Sequence, residues 1–275
     1  LDIWFALALL ALGSFSGFAA GLLGIGGGAL MVPVMTLLFT LQGFSLTHVV
    51  HMSIATSIAT ILFTSLSSVR AHHKRGGVLW NVVLWIGAGA FFGTLLGAQI
   101  AAFISTPWLA LVFALFIGYS AYKMIVAKPA TPGSHAAPPA PGGMLALGGF
   151  AGIASSLVGA GGAFITVPYM RKHQIPVHAA LGTSAAIGFP IALGGLIGYA
   201  AAGWQIKSGL PPHTLGYVYL PALLVVALAS MSFAPLGARA AHALDTKALQ
   251  RIFAVLLSTM ALYMLYKSAL TFKIL

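Results

Sequence analysis

The sequence has no cysteine, which excludes structural disulfides and thiolate metal sites and leaves no trace of a redox compartment. Acid is almost as scarce. Asp2 and Asp245 are the only carboxylates among 275 residues, and both fall near predicted helix ends. Cation pumps and cation-coupled carriers place carboxylates at depth in the membrane as ion or proton sites. This chain has none to place there, which argues against a cation substrate. Charge of either sign is thin: charged residues make up 5% of the chain and hydrophobic residues 60%. A soluble globule cannot be covered with so few ionisable groups. Lipid, not water, must solvate most of this surface.

Other signatures are missing as well. The net charge of +11 raises the question of nucleic acid, but a nucleic-acid face gathers its basic residues on one solvated patch. Here they sit in short loops between apolar stretches, so the bilayer is an expected partner and nucleic acid is not. There is no HExxH, no GxSxG and no intramembrane aspartate pair. No enzyme activity, cofactor or metal is therefore expected, and His72-His73 beside Lys74 reads as a basic loop. The glycine run GIGGG ends in no Lys-Ser/Thr and follows no strand, so it is neither a P-loop nor a dinucleotide loop.

Apolar sequence in span-sized pieces is what the chain does have. A helix needs about 20 apolar residues to cross the hydrocarbon core. Such stretches run over 3–23, 28–41, 46–69, 78–104 and 107–127; after a Pro/Ala/Gly segment they resume over 144–158, 161–170, 175–203, 213–234 and 246–267. The first is long enough to be a mature span and not the short core of a cleaved signal. The spacing predicts an all-α polytopic transmembrane bundle built as two pseudo-repeats, 1–127 and 144–275, joined by a linker over 128–143. Motifs recur in the same order. GIGGGALMVP at Gly24 to Pro33 overlays GAGGAFITVP at Gly159 to Pro168 without a gap, HMSIATS at His51 to Ser57 overlays HAALGTS at His178 to Ser184, and Gly97-Ala98 overlays Gly237-Ala238.

Two stretches are too short to cross. At about 1.5 Å per residue, Ala29 to Leu41 reaches roughly 20 Å, and Ala163 to Met170 less, against a core of about 30 Å. Each is expected to form one arm of a broken or re-entrant helix pair with the glycine run at its turn, which inverts the second repeat relative to the first. Positive charge favours that arrangement. It puts Arg70, Lys74, Arg75, Lys123, Lys128, Arg171, Lys172, Arg239, Lys247 and Arg251 on one side and Lys207, Lys267 and Lys273 on the other, ten against three. Continuous crossings at both glycine runs would give eight against five.

Unwound glycine at mid-membrane depth needs partners from protein, water or substrate. The half-helix after each run presents free N–H groups and a positive dipole end, which suits an anion. Inverted tips would meet near the midplane, as in many secondary carriers. The candidate substrate-binding residues are therefore Gly24, Gly26, Gly27 and Gly28 with Gly159, Gly161, Gly162 and Ala163. His51, Thr56 and Ser57, and likewise His178, Thr183 and Ser184, can share a helix face and donate to an anion's oxygens. They read equally well as hydrogen bonds between helices. The competing role for glycine is close helix packing, as in Gly13-Gly17-Gly21. Pro33 and Pro168 are read as structural kinks, Arg239 as a snorkelling surface residue, and Asn81 and Gln99 as stitches between helices.

GFAAGLLGIGGGALMVPVM at 17–35, GIASSLVGAGGAFITVPYM at 152–170 and the following ATS and GTS segments resemble the sulfite exporter TauE/SafE family of bacterial membrane permeases. The likeness spans essentially the whole chain. It implies transport, in the sense of export, of small sulfur-containing anions such as sulfite, sulfonates or sulfoacetate through the cytoplasmic membrane. Carried over by position, the motif marks Gly24, Gly26, Gly27, Gly28 and Pro33, then Gly159, Gly161, Gly162 and Pro168. The chain departs from its own pattern at Ala163, opposite Gly28, where a less permissive second turn is expected. A small anionic substrate is the expected partner. An anion channel and a non-transporting membrane scaffold subunit stay as alternatives; a coupling proton or ion, the direction of flux and assembly into a homo-oligomer are left open.

Overall fold

The computed structural model describes residues 2–23, 27–126, 140–204, 206, 209–240 and 246–274. Among them ten helices follow in order: α1 (Ile3–Leu23), α2 (Gly28–Leu41), α3 (Val49–His73), α4 (Trp80–Phe103), α5 (Thr106–Val126), α6 (Pro141–Val158), α7 (Ala163–Lys172), α8 (Val177–Gly203), α9 (Leu220–Ala240) and α10 (Thr246–Ile274). Among the described residues seven helices are long and apolar enough to cross a membrane: α1, α3, α4, α6, α8, α9 and the Ala254–Phe272 part of α10. Leu7, Leu10, Phe92, Leu96, Leu224, Leu228 and Leu262 stay exposed, as expected of a surface that meets acyl chains. The all-α polytopic bundle read from composition is the fold observed.

Lipid removes the hydrophobic drive between helices, so close backbone contact must hold them. Glycine supplies it in two pairs, α1 on α9 and α4 on α6. A methyl at Gly17 or Gly21 would run into the backbone of Ser230 or Ala234, and one at Gly89 or Gly93 into that of Leu145 or Gly149. For these glycines the packing role is the one observed. At the centre α3 lies on α8, while α3 also packs on α9, α8 on α4, and α5 on α10. Counted as α1–α5 and α6–α10, α1 on α9 is matched by α6 on α4, and α3 on α9 by α8 on α4.

The helix ends gather at two poles. At the basic end, Arg75 Nη1 donates to the Ala238 carbonyl at the close of α9, 3.1 Å away. There Arg70, Lys74, Arg75, Lys172 and Arg239 are exposed. At the opposite end Ser268 Oγ donates to Pro107 O (2.8 Å) and Lys267 Nζ to Thr40 Oγ1 (3.1 Å), joining α10 to α5 and α2.

Two boundaries differ from expectation. Helix α6 begins at Pro141, inside the segment read as linker, because proline in a first turn gives up an N–H that has no helical partner anyway. The stretch 213–234, read as one helix, opens with an antiparallel hairpin, β1 (Thr214–Leu215) and β2 (Val218–Tyr219). Its two-residue turn starts at Gly216, φ +56°, and a left-handed start suits such a turn. This hairpin marks the second pole of the molecule.

Candidate functional site

Each half-helix starts from a glycine in the left-handed region. Gly27 (φ +70°) precedes α2 and Gly162 (φ +76°) precedes α7. The Gly27 carbonyl accepts from Leu30 N and Met31 N, and the Gly162 carbonyl from Ile165 N and Thr166 N, so the two turns are built alike. Neither helix start carries a side-chain cap. The departure at Ala163 is harmless to the turn, contrary to the sequence expectation. The left-handed position is Gly162, one residue earlier, and Ala163 is not among the residues with positive φ. Pro33 and Pro168 lie inside the two short helices. Gly24 and Gly26 lie outside the described residues.

The two tips touch. A Cβ on Gly28 would overlap the carbonyl oxygen of Gly159, the residue that closes α6 at φ +68°. Ser57 Oγ, fully buried on α3, donates toward both tips, to Gly159 O at 3.1 Å and Gly28 O at 3.4 Å. On the α8 side, Ser184 Oγ shares a hydrogen bond with Thr166 Oγ1 of α7 at 2.8 Å.

Beside the tips, toward the basic end, lies a cavity of about 10 Å³, room for about one water molecule. Its wall is mostly apolar, formed by Ala20, Ile61, Gly161, Ala185 and Gly188, with the hydroxyl residues Thr64, Ser65, Ser68 and Ser184 set into it. Thr64 Oγ1 is paired with Ser230 Oγ at 2.7 Å, and Ser65 Oγ donates to Leu62 O at 3.0 Å. Ser68 Oγ, on a residue 2% exposed, has no hydrogen-bond partner among the described residues. The same holds for Ser155 Oγ on α6, whose residue is 3% exposed. An unmet buried hydroxyl costs about 1–3 kcal/mol, and such groups mark places where a ligand or water is due. No cation is among the described residues that line it. The cavity therefore offers a guest the unmet hydroxyl of Ser68, beside the hydroxyls of Thr64, Ser65 and Ser184 that are already paired within the protein.

The structure thus brings together Gly28, Gly159, Gly161, Gly162, Ala163, Ser57 and Ser184 of the predicted set, with Gly27 at the base of the first tip. It gives Thr56 and Thr183 another task. Thr56 Oγ1 accepts the N–H of Tyr219, just before α9, and Thr183 Oγ1 accepts the N–H of Leu79, just before α4, each at 3.0 Å. The two predicted histidines lie at opposite poles. His51 Nε2 is 3.1 Å from Ala101 O and 2.9 Å from Ile104 O, so that nitrogen carries a hydrogen and closes the end of α4. Its ring stacks on Tyr217 of the hairpin, centroids 5.1 Å apart. Nearby His48, just outside α3, has its pKa lowered by burial against the same ring cluster. His178 is exposed at the start of α8. Neither His51 nor His178 lines the cavity. Gln99 does stitch helices, its Nε2 donating to Gly198 O at 2.9 Å.

Thr64, Ser65, Ser68 and Ser155 escaped the sequence reading. A signal for part of this set was present. Ser53, Ser57, Thr60, Thr64 and Ser68 recur at helical spacing along α3 and are all buried, a polar stripe inside a transmembrane helix.

A model of the family described as Sulfite exporter TauE/SafE matches residues 9–264. The chain belongs to this family. A probable membrane transporter protein of Haemophilus influenzae is 31% identical over 271 residues, covering 96% of this chain and 99% of that protein. Another of that description, from Methanocaldococcus jannaschii, is 26% identical over 94% of both chains. YdhB of Bacillus subtilis, also described as a probable membrane transporter protein, is 28% identical over 68% of this chain and 76% of its own. No solved structure matches the chain. Family and relatives together identify a multi-pass membrane transporter.

Proposed function

We propose that this transporter is a secondary carrier that exports small sulfur-containing anions, sulfite and sulfonates such as sulfoacetate, across the bacterial cytoplasmic membrane. The two five-helix halves act as inverted repeats and rock about the touching glycine tips, exposing the site to one side at a time. One observation carries the reading: a small cavity beside the glycine turn that precedes α7, with four hydroxyl residues in its wall and Ser68 left unpartnered among them. Oxyanion oxygens are acceptors only, so a cluster of O–H donors and uncapped helix N–H groups complements them. At about 10 Å³ the cavity must widen to admit such a guest, which is consistent with a carrier resting in a contracted state. Exposed cations at the basic end raise the local concentration of anions without trapping them at depth.

An anion channel needs a continuous wet path. On the hairpin side of the tips this path is closed. Val32 stands against Gly159 and Ile191 against Gly162, and behind them Phe39, Phe44 and Tyr219 pack ring to ring at 5.1–5.6 Å. Carrier action is tested by counterflow in proteoliposomes loaded with unlabelled sulfite. Accumulation of labelled sulfite, weakened about tenfold or more by Ser68→Ala together with Ser184→Ala, is the expected result. Conductive flux without counterflow would favour the channel, and counterflow untouched by the double variant would remove the site.

A further inference from the structure

The repeat correspondence pairs residues around the cavity with a second set on the far side of the tips. Taking Gly24 with Gly159, Ala20 corresponds to Ser155 and Gly27 to Gly162; taking His51 with His178, Thr64, Ser65 and Ser68 correspond to Ile191, Ala192 and Gly195. The cavity wall formed by Ala20 and three hydroxyl residues thus has a counterpart formed by Ser155 and three apolar positions. The donors have changed places. In the basic half α3 carries them and the α1 position is bare; in the hairpin half the α8 positions are bare and α6 carries one.

That counterpart half is shut. A Cβ on Gly162 would stand 2.6 Å from Ile191 Cδ1 and 3.3 Å from Ser155 Oγ, so the hydroxyl faces the N-terminal turn of α7 with Ile191 filling the rest. Ser155 is 3% exposed and its hydroxyl is unmet. Among the described residues, Ser68 has the one other buried hydroxyl left so. Ser53, Thr60 and Thr94 each return theirs to the carbonyl four residues back. A packing serine would do the same.

We propose that Ser155 is a substrate ligand of the opposite-facing state: when the hairpin side opens and Ile191 withdraws, its hydroxyl and the start of α7 receive the anion that Ser68 and Ser184 hold from the basic side. This rests on the carrier reading above and deepens it, since it makes the two faces of one site chemically unequal. The hairpin-facing state has fewer hydroxyl donors and holds the anion less tightly, which favours release there. That direction agrees with export if the basic end faces the cytoplasm.

The chain's lack of cysteine permits a direct test. Ser155→Cys and Ser68→Cys, each in the full-length protein in oriented vesicles, are exposed without substrate to a membrane-impermeant methanethiosulfonate from either side. Ser155→Cys should react from the hairpin side only and Ser68→Cys from the basic side only. A Ser155→Cys protein that is inert from the hairpin side, or that reacts from the basic side, overturns the proposal. In sided transport, Ser155→Ala should raise the half-saturating sulfite concentration on the hairpin side about tenfold and leave the basic side within twofold. Equal shifts on both sides, or none, would show a structural role. Absence of sulfite counterflow in the unmodified protein would count against the carrier reading, whereas normal counterflow with an unshifted Ser155→Ala would count against this inference alone.

Discussion

Single positions at the tips differ sharply in what they tolerate, for reasons that backbone geometry makes explicit. Gly162 is held at φ +76° with a side-chain methyl's space already taken by Ile191. Replacing it with alanine forces a left-handed L-residue, which costs about 1–2 kcal/mol, and adds an overlap on top. Ala163, one residue on, sits in ordinary helical backbone. We expect Gly162→Ala to lower the melting temperature of the detergent-solubilised protein and to abolish transport, and Ala163→Gly to change the melting point by no more than about 1 kcal/mol in equivalent stability. A protein in which Ala163→Gly is the more damaging change would mean that the turn is built elsewhere. Gly28 makes a different demand. Its backbone is helical, and what excludes a side chain there is the Gly159 carbonyl of the other tip.

Helices in this molecule are seated by threonines one residue away from the serines at the tips. Thr56 takes the N–H that precedes α9, and Thr183 the N–H that precedes α4. Each hydroxyl reaches from one half of the chain to a helix start in the other half. Valine keeps the shape and removes the acceptor, leaving a backbone N–H unmet at a cost of about 1–3 kcal/mol. Thr56→Val and Thr183→Val should therefore destabilise by similar amounts in thermal unfolding, with their effects adding in the double variant. A large loss in one and none in the other would break the equivalence of the halves. Much at this level was readable from sequence: the apolar stretches became helices, and the paired Thr-Ser motifs lie where the halves meet. The task of each residue was not readable, because adjacent residues on a helix point about 100° apart. Thr56 and Ser57 therefore address different neighbours, and only the packing of α9 and the tips decides which. Of the two roles open to His51, the bond between helices is the one seen, and sequence could not choose it for the same reason. Its partners, the carbonyls that end α4, lie some fifty residues along the chain. The orphan hydroxyl of Ser155 is invisible to any motif, since its meaning comes from a hydrogen bond it does not make.

At the level of the whole molecule, the two ways of threading the chain make opposite claims about where Lys172 lies. If α7 starts at mid-depth and returns to the side from which α6 came, Lys172 shares a side with Lys74; if residues 144–172 formed one continuous crossing, the two would be on opposite sides. The contacts favour the return. Gly182, near the start of α8, lies against the Gly77 backbone in the α3–α4 loop, so the chain that leaves α7 is already at the basic end. Positive charge supports the same arrangement, because the exposed Arg70, Lys74, Arg75, Lys172 and Arg239 gather at the basic end. Single cysteines at Lys74 and Lys172 should therefore be labelled by an impermeant reagent from one side of intact cells, and cysteines at Gln42 and Leu215, which are exposed at the hairpin end, from the other. Labelling of Lys172→Cys and Lys74→Cys from opposite sides would dismiss the inverted arrangement, and with it any mechanism in which the two halves exchange roles. Agreement on all four sites would fix which pole faces the cytoplasm, and so whether the hydroxyl-rich half of the site loads from inside the cell, as export requires.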